Sequence, residues 1–146
     1  MSDKPKFAMY WAASCGGCEI AVLNTHEKIL DVDANFDVVF WPVAVDTKYK
    51  DVEAMEDGSI LLTLWNGGIR NDENEHIAHL MRRKSKILVA FGSCACEGCI
   101  PGLATLSPVD EIISTAFHTI STDNPNGIPP QTSYEAPEGT LTLPTL

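Results

Sequence analysis

The chemistry available to this chain of 146 residues is concentrated in five cysteines, and they fall into two knots. Cys15 and Cys18 lie in Ser14-Cys15-Gly16-Gly17-Cys18, while Cys94, Cys96 and Cys99 lie far downstream in GSCACEGC, residues 92–99. Two thiolates in Cys-x-x-Cys can reach one metal ion or two corners of a cluster, and adjacent amides can donate to the sulfurs. Iron–sulfur binding is the reading these features favour. Zinc is the main rival, since two paired clumps can build a closed four-sulfur site. Zinc ribbons, however, sit on short polar hairpins, whereas each knot here ends an apolar run. A thioredoxin-like redox pair is a further alternative. Inert cysteines fit poorly, because glycine-rich loops are bad places to hide apolar side chains.

Other residues carry weaker signals. His76 and His79 share one side of a helical stretch, where solvated histidines are the commoner outcome than a metal pair. Glu19 follows Cys18 and reads as a helix-dipole partner rather than a proton relay. Trp11, Trp41 and Trp65 lie in or beside strand-like runs and are expected in the core. No glycine-rich phosphate loop is present, since neither Gly16-Gly17 nor Gly67-Gly68 has the required spacing or lysine.

The composition narrows the possibilities. Hydrophobic residues make up 45% and charged residues 21%, ordinary values for one globular domain. Ten Lys and Arg against 20 Asp and Glu give a net charge of −10, which repels nucleic-acid phosphates. The opening MSDKPKFAMYWAAS lacks the apolar run of a signal peptide, and no apolar stretch reaches the roughly 18 residues of a membrane span. A cytoplasmic protein is the expectation. In a reducing compartment an odd number of cysteines points to metal or redox chemistry rather than disulfides.

The elements that must position the cysteines follow from periodicity. Apolar runs at residues 6–12, 36–45, 59–65 and 86–91 read as strands. Helical spacing covers 18–32, the stretch after Asp72 with Ile77, Leu80 and Met81 on one face, and 109–117. Residues 46–57 read as a loop or short helix. Strands alternating with helices, the strands nearly continuously apolar, specify an α/β, doubly wound parallel sheet. Such sheets bind ligands beyond the carboxyl ends of their strands. Cys15 and Cys18 follow the first strand, Cys94 follows the fourth, and Asn66-Gly67-Gly68 follows the third. The expected strand order brings all three to one rim. After Thr119 the prolines thicken and helical periodicity stops, so residues 1–119 are expected to form the domain and 120–146 a proline-rich extended tail.

The stretches SCGGCEIAVLNTHEKILDV, PVAVDTKYKDV, NGGIRNDEN, GSCACEGCIPGL and IPPQTSYEAPEG, spread over nearly the whole chain, resemble the small subunit of NiFe hydrogenases. The nearest branch is that of the methyl-viologen-reducing enzyme associated with heterodisulfide reductase. The same domain occurs in the 20 kDa subunit of complex I, a poorer match because that subunit typically begins with adjacent cysteines. The resemblance implies a flavodoxin-like domain that carries a 4Fe–4S cluster and is not catalytic alone. It implies Cys15, Cys18 and Cys94 as three cluster ligands. It also implies a large subunit holding the nickel–iron site, and iron–sulfur or flavin subunits of heterodisulfide-reductase type as electron partners. The fourth ligand of the family lies in Gly-Cys-Pro-Pro, which is absent through Leu146. That motif is expected in a continuation of the chain, with Cys99 as the alternative. Cys96 and Cys99 are additions to the family pattern, Cys99 standing where a Gly-Gly pair has its second glycine. Ile20 and its neighbours also depart from the usual Ser/Glu pattern. Neither additional cysteine is expected to be essential.

Overall fold

The computed structural model describes residues 3–124, 126–129 and 131–142. Four strands, β1 (Lys6–Trp11), β2 (Asp37–Phe40), β3 (Ile60–Asn66) and β4 (Ser85–Ala90), form one sheet in the order β2-β1-β3-β4. Every neighbouring pair is parallel. Between them run α1 (Gly17–Leu23), α2 (Ile29–Asn35), α3 (Tyr49–Glu53) and α4 (Asp72–Lys84). Beyond β4 follow the single turns α5 (Ser93–Cys96) and α6 (Cys99–Gly102), then α7 (Val109–His118). The doubly wound α/β architecture read from the periodicity is therefore the one observed.

Two apolar layers flank the sheet. Against α3 and α4 pack Ala8, Tyr10, Phe40, Ile60 and Trp65, joined by Val52, Ile77, Leu80 and Met81. On the other face Phe7, Met9 and Trp41 pack with Val22 of α1, Ile29 of α2, and Leu62 and Leu64. An irregularity in the β1–β3 register near Ile60 lets that residue face α4 while Leu62 and Leu64 turn to α1. Asn71 caps α4, its side chain accepting from the Asn74 amide at 2.9 Å. At the helix's far end Lys84 is buried and donates to the Met55 carbonyl at 2.6 Å and to Asp57 at 2.8 Å.

Three elements differ from the sequence reading. The helix expected over 18–32 breaks at Asn24-Thr25-His26: Thr25 Oγ1 donates to the Val22 carbonyl at 2.7 Å, and His26 takes a positive φ of 53°. The second strand stops at Phe40, because the Trp41 carbonyl accepts from both Ala44 and Val45 in a turn around Pro42. Within residues 120–146, Ser133–Ala136 and Gly139–Thr142 pair as an antiparallel hairpin, β5 and β6. Helix α7 buries no residue, and Lys86 and Ile87 of β4 are exposed. Among the described residues no helix is long and apolar enough to cross a membrane.

Two measurements check this packing. Leu80 is 1% exposed, so Leu80→Ala should cost about 2–5 kcal/mol in denaturant unfolding, with little change in slope. Tyr49 donates to Glu73 Oε1 at 2.9 Å and lies 3.5 Å from the Tyr10 hydroxyl. Burial, followed by these two partners, pushes its phenol well above the ordinary value. A raised acid leaves stability intact below the unfolded value and removes it as pH climbs past about 10. Tyr49→Phe should therefore move the onset of alkaline unfolding to higher pH, followed by circular dichroism and phenolate absorbance.

Candidate metal centre

The carboxyl ends of β1, β3 and β4 meet at one rim because their backbones can approach closely. Ala13 and Gly68 exchange backbone hydrogen bonds at 3.0 and 2.9 Å, and the Ala12 amide donates to the Asn66 carbonyl at 2.7 Å. Gly67 makes the approach possible. Its φ is 108°, and a Cβ there would stand 2.8 Å from the Ala12 carbonyl carbon. A Cβ placed on Gly68 would lie 3.6 Å from Pro101 Cβ and 3.8 Å from the Cys94 carbonyl oxygen, so the loop after β4 packs on the same spot.

Each cysteine can now be placed. Cys15 is exposed in the loop after β1, and the Gly17 amide donates to its Sγ at 3.4 Å. Cys18 sits half-buried in the first turn of α1 with its sulfur against Gly92. Cys94 is half-buried in α5. Burial pushes its thiol above the ordinary value, the neighbouring Cys99 and Cys15 push the same way, and a hydrogen bond from the Cys15 backbone opposes them. The rim thus gathers Cys15, Cys18, Cys94 and Cys99. Cys96 bonds instead to backbone, its Sγ donating to the Ala90 carbonyl at the end of β4, 3.4 Å away. Among the described residues, no three His, Cys, Asp or Glu side chains converge tightly enough for a single metal ion.

Buried polar groups lie close behind. Glu19 is 3% exposed, accepting from the Trp41 indole at 2.9 Å, while its Oε2 has no hydrogen-bond partner among the described residues. Burial raises its pKa, and the indole hydrogen bond opposes the rise. The sequence reading missed this, since nothing local ties Glu19 to a tryptophan 22 residues away. Asn66 is fully buried with both side-chain polar atoms unpartnered among the described residues, and strand alternation puts it on the face of Leu62 and Leu64. Trp41 and Trp65 are core residues as expected. Trp11 is not: it is 44% exposed, its ring lies over Gly16, and its indole donates to the Ser14 carbonyl at 3.2 Å. His76 and His79 are exposed and face different carboxylates, Glu53 at 3.5 Å and Glu75 at 3.9 Å.

Three comparisons bear on this arrangement. The family model described as NADH ubiquinone oxidoreductase, 20 kDa subunit, matches residues 15–131. The iron-sulfur subunit of the F420-non-reducing hydrogenase of Archaeoglobus profundus is 47% identical over 141 residues, covering 95% of this chain and 44% of that protein. A subunit of the F420-non-reducing hydrogenase of Methanothermobacter marburgensis is 37% identical over 140 residues, with the same coverage of 95% and 44%. The chain thus spans under half the length of these curated relatives. A solved structure, the NAD+-reducing NiFe hydrogenase in the H2-reduced state, superposes with a TM-score of 0.76 at 25% identity, covering 96% of this chain and 72% of that chain.

The contact between Gly92 and Cys18 generates a direct prediction. Gly92 has φ 88°, and a Cβ on it would stand 2.2 Å from Cys18 Sγ. Gly92→Ala should therefore cost more than about 1 kcal/mol and move the Cys18 thiol. Thermal unfolding and the rate of Cys18 alkylation would register both effects; wild-type behaviour in both would mean that Cys18 does not rest on Gly92.

Proposed function

The chain belongs to the NADH ubiquinone oxidoreductase 20 kDa subunit family, and on that premise we propose that it is the electron-transfer small subunit of a NiFe-hydrogenase-type complex. In this reading Cys15, Cys18 and Cys94 hold a 4Fe–4S cluster proximal to the nickel–iron site of a large subunit. Residues 1–119 form the iron–sulfur domain, and 120–146 form a tail laid along a partner. The onward partners are iron–sulfur or flavin subunits of heterodisulfide-reductase type. Five free cysteines suit the reducing cytoplasm, where we place the complex.

The single observation that carries the reading is the knotting of three strand ends, which draws Cys15, Cys94 and the Cys18 loop onto one rim. The donor set fits an iron–sulfur group. Soft thiolates are offered, the Gly17 amide already donates to the Cys15 sulfur, and Gly92 leaves the room that Cys18 needs. Unpartnered buried atoms of Asn66 and Glu19 add polarity at the same end of the sheet. When bound, the cluster supplies one-electron transfer at a potential set by hydrogen bonds and burial. The chain's own residues hold and orient it, and exposed apolar side chains around the rim, including Trp11, Ile20, Ile69 and Ile100, would exclude water once a partner docks. A complex I-like electron-transfer subunit is the second reading, supported by the description of the family model. The Cys-x-x-Cys spacing and the 47% identity to a hydrogenase subunit favour the first.

The test is iron and acid-labile sulfide content, with electron paramagnetic resonance of the reduced state, on the anaerobically purified complex. Cys15→Ala, Cys18→Ala and Cys94→Ala should each lose the cluster, because a methyl group cannot replace a thiolate corner. A Cys94→Ala protein retaining full iron and an unchanged spectrum would refute the assignment.

A further inference from the structure

Asn66 is fully buried, and neither its Oδ1 nor its Nδ2 has a hydrogen-bond partner among the described residues. A carboxamide carries two donor hydrogens and an acceptor oxygen, and burying all of them without a bond is costly. Proteins keep such a group where something else meets it. Glu19 also has an orphan oxygen, but its other oxygen accepts from the Trp41 indole at 2.9 Å. Asn66 is held at neither end.

The neighbours of Asn66 show what crosses above it. The residue ends β3 and pairs with Trp11 at the end of β1. On its other side the ladder continues past the Trp65–Ala90 pair, with the Phe91 amide donating to the Trp65 carbonyl at 2.8 Å. Register partners in a sheet share a face, so Trp11, Asn66 and Phe91 extend the layer of Phe7, Met9, Leu62 and Leu64 toward the rim. The Cys-x-x-Cys loop is fastened at both ends of that row. Gly16 lies against the Trp11 ring, where a Cβ would stand 2.7 Å from Cζ2, and the Cys18 sulfur lies against Gly92, next to Phe91. Asn66 is the middle member of the row and therefore lies beneath the loop that carries Cys15 and Cys18.

Resting on the cluster-binding reading above, we infer that Asn66 is a positioning residue for the iron–sulfur group, its Nδ2 donating a hydrogen bond to sulfur held under the Cys15–Cys18 loop and so raising the reduction potential. Sulfur bonded to iron is an acceptor, and the free carboxamide supplies the donor. Asn66 binds no iron, and it makes and breaks no covalent bond. The reduced group carries one more negative charge than the oxidised one, so a fixed donor favours the reduced state. An aliphatic side chain of the same size would fill the space and leave the sulfur without that donor.

The experiment compares the wild-type complex with its Asn66→Leu, Asn66→Asp and Cys15→Ala variants, all purified anaerobically. Iron and sulfide per chain, circular dichroism, thermal unfolding, and the midpoint potential from a redox titration followed by paramagnetic resonance are measured on each. Asn66→Leu is close in volume and removes both orphan atoms, so a merely structural role predicts equal or higher stability and an unchanged potential. The expected result is full iron in both Asn66 variants with midpoint potentials more negative than wild type, while Cys15→Ala loses its iron. Should Asn66→Leu fail to fold, Asn66→Asp, nearest in shape, carries the same readout. If the folded Asn66 variants keep both iron and the wild-type potential while Cys15→Ala loses its iron, the inference falls and the function proposed above stands. If they lose iron with an intact fold, Asn66 holds the group rather than tuning it, and the inference is overturned. If Cys15→Ala keeps its iron, the cluster-binding reading itself fails.

Discussion

Where β1 and β3 end, two backbone hydrogen bonds between Ala13 and Gly68 hold the strand ends in contact. That contact requires a residue without a Cβ at Gly67, and it fixes how far apart everything beyond it can be. The loop after β4 then rests on Gly68 through Pro101 and the Cys94 carbonyl, and Gly92 accepts the Cys18 sulfur against its Cα. The rim is an assembly of backbone approaches, with side chains supplied wherever the approaches leave room. Stability comes from elsewhere. The layers around Leu80 and Met9 bury the sheet and ask little of the loops. The charged end at Lys84 lies at the opposite pole, where β4 begins.

This separation explains what could be read from the sequence. Four apolar runs and the Ile77–Leu80–Met81 stripe are signals of burial, and burial is what periodicity records. The rim location of Cys15, Cys18 and Cys94 followed from the same pattern, because parallel strands deliver their carboxyl ends to one edge. Local geometry was harder. The break at His26 depends on a Thr25 hydroxyl capturing a carbonyl, and the early end of β2 depends on Trp41 turning inward toward Glu19. Glu19 is a surface residue by type, and only a tryptophan from another element makes it a buried one. Cys96 bonds to the Ala90 carbonyl while Cys99 lies beside Cys94, contacts that no spacing rule encodes.

The second half of the chain is built differently from the first. Helix α7 forms over the stretch that helical spacing marked, yet it buries none of its residues, and β4 has an exposed Ile87. Exposed apolar residues continue from Ile100 through Leu103 and Leu106 to Val109. A domain that shielded its own surfaces would leave fewer such groups in water. Their position beside the cysteine loops fits a subunit whose burial is completed by association, as the proposed function requires.

The bridge between Ala13 and Gly68 also bears on speed. Electron transfer is slowed by the work of rearranging the surroundings when charge arrives, so a donor or acceptor gains from dipoles that are already in place. Here the amide beside Cys15, the turn carrying Cys94 and the glycine behind Cys18 hang from strand ends that the core holds still on both sides. Loops tethered at one point would swing to meet each change of charge. Loops fastened to each other and to two strands have little distance to travel, which in the proposed electron-transfer role would keep the reorganisation energy at this rim small.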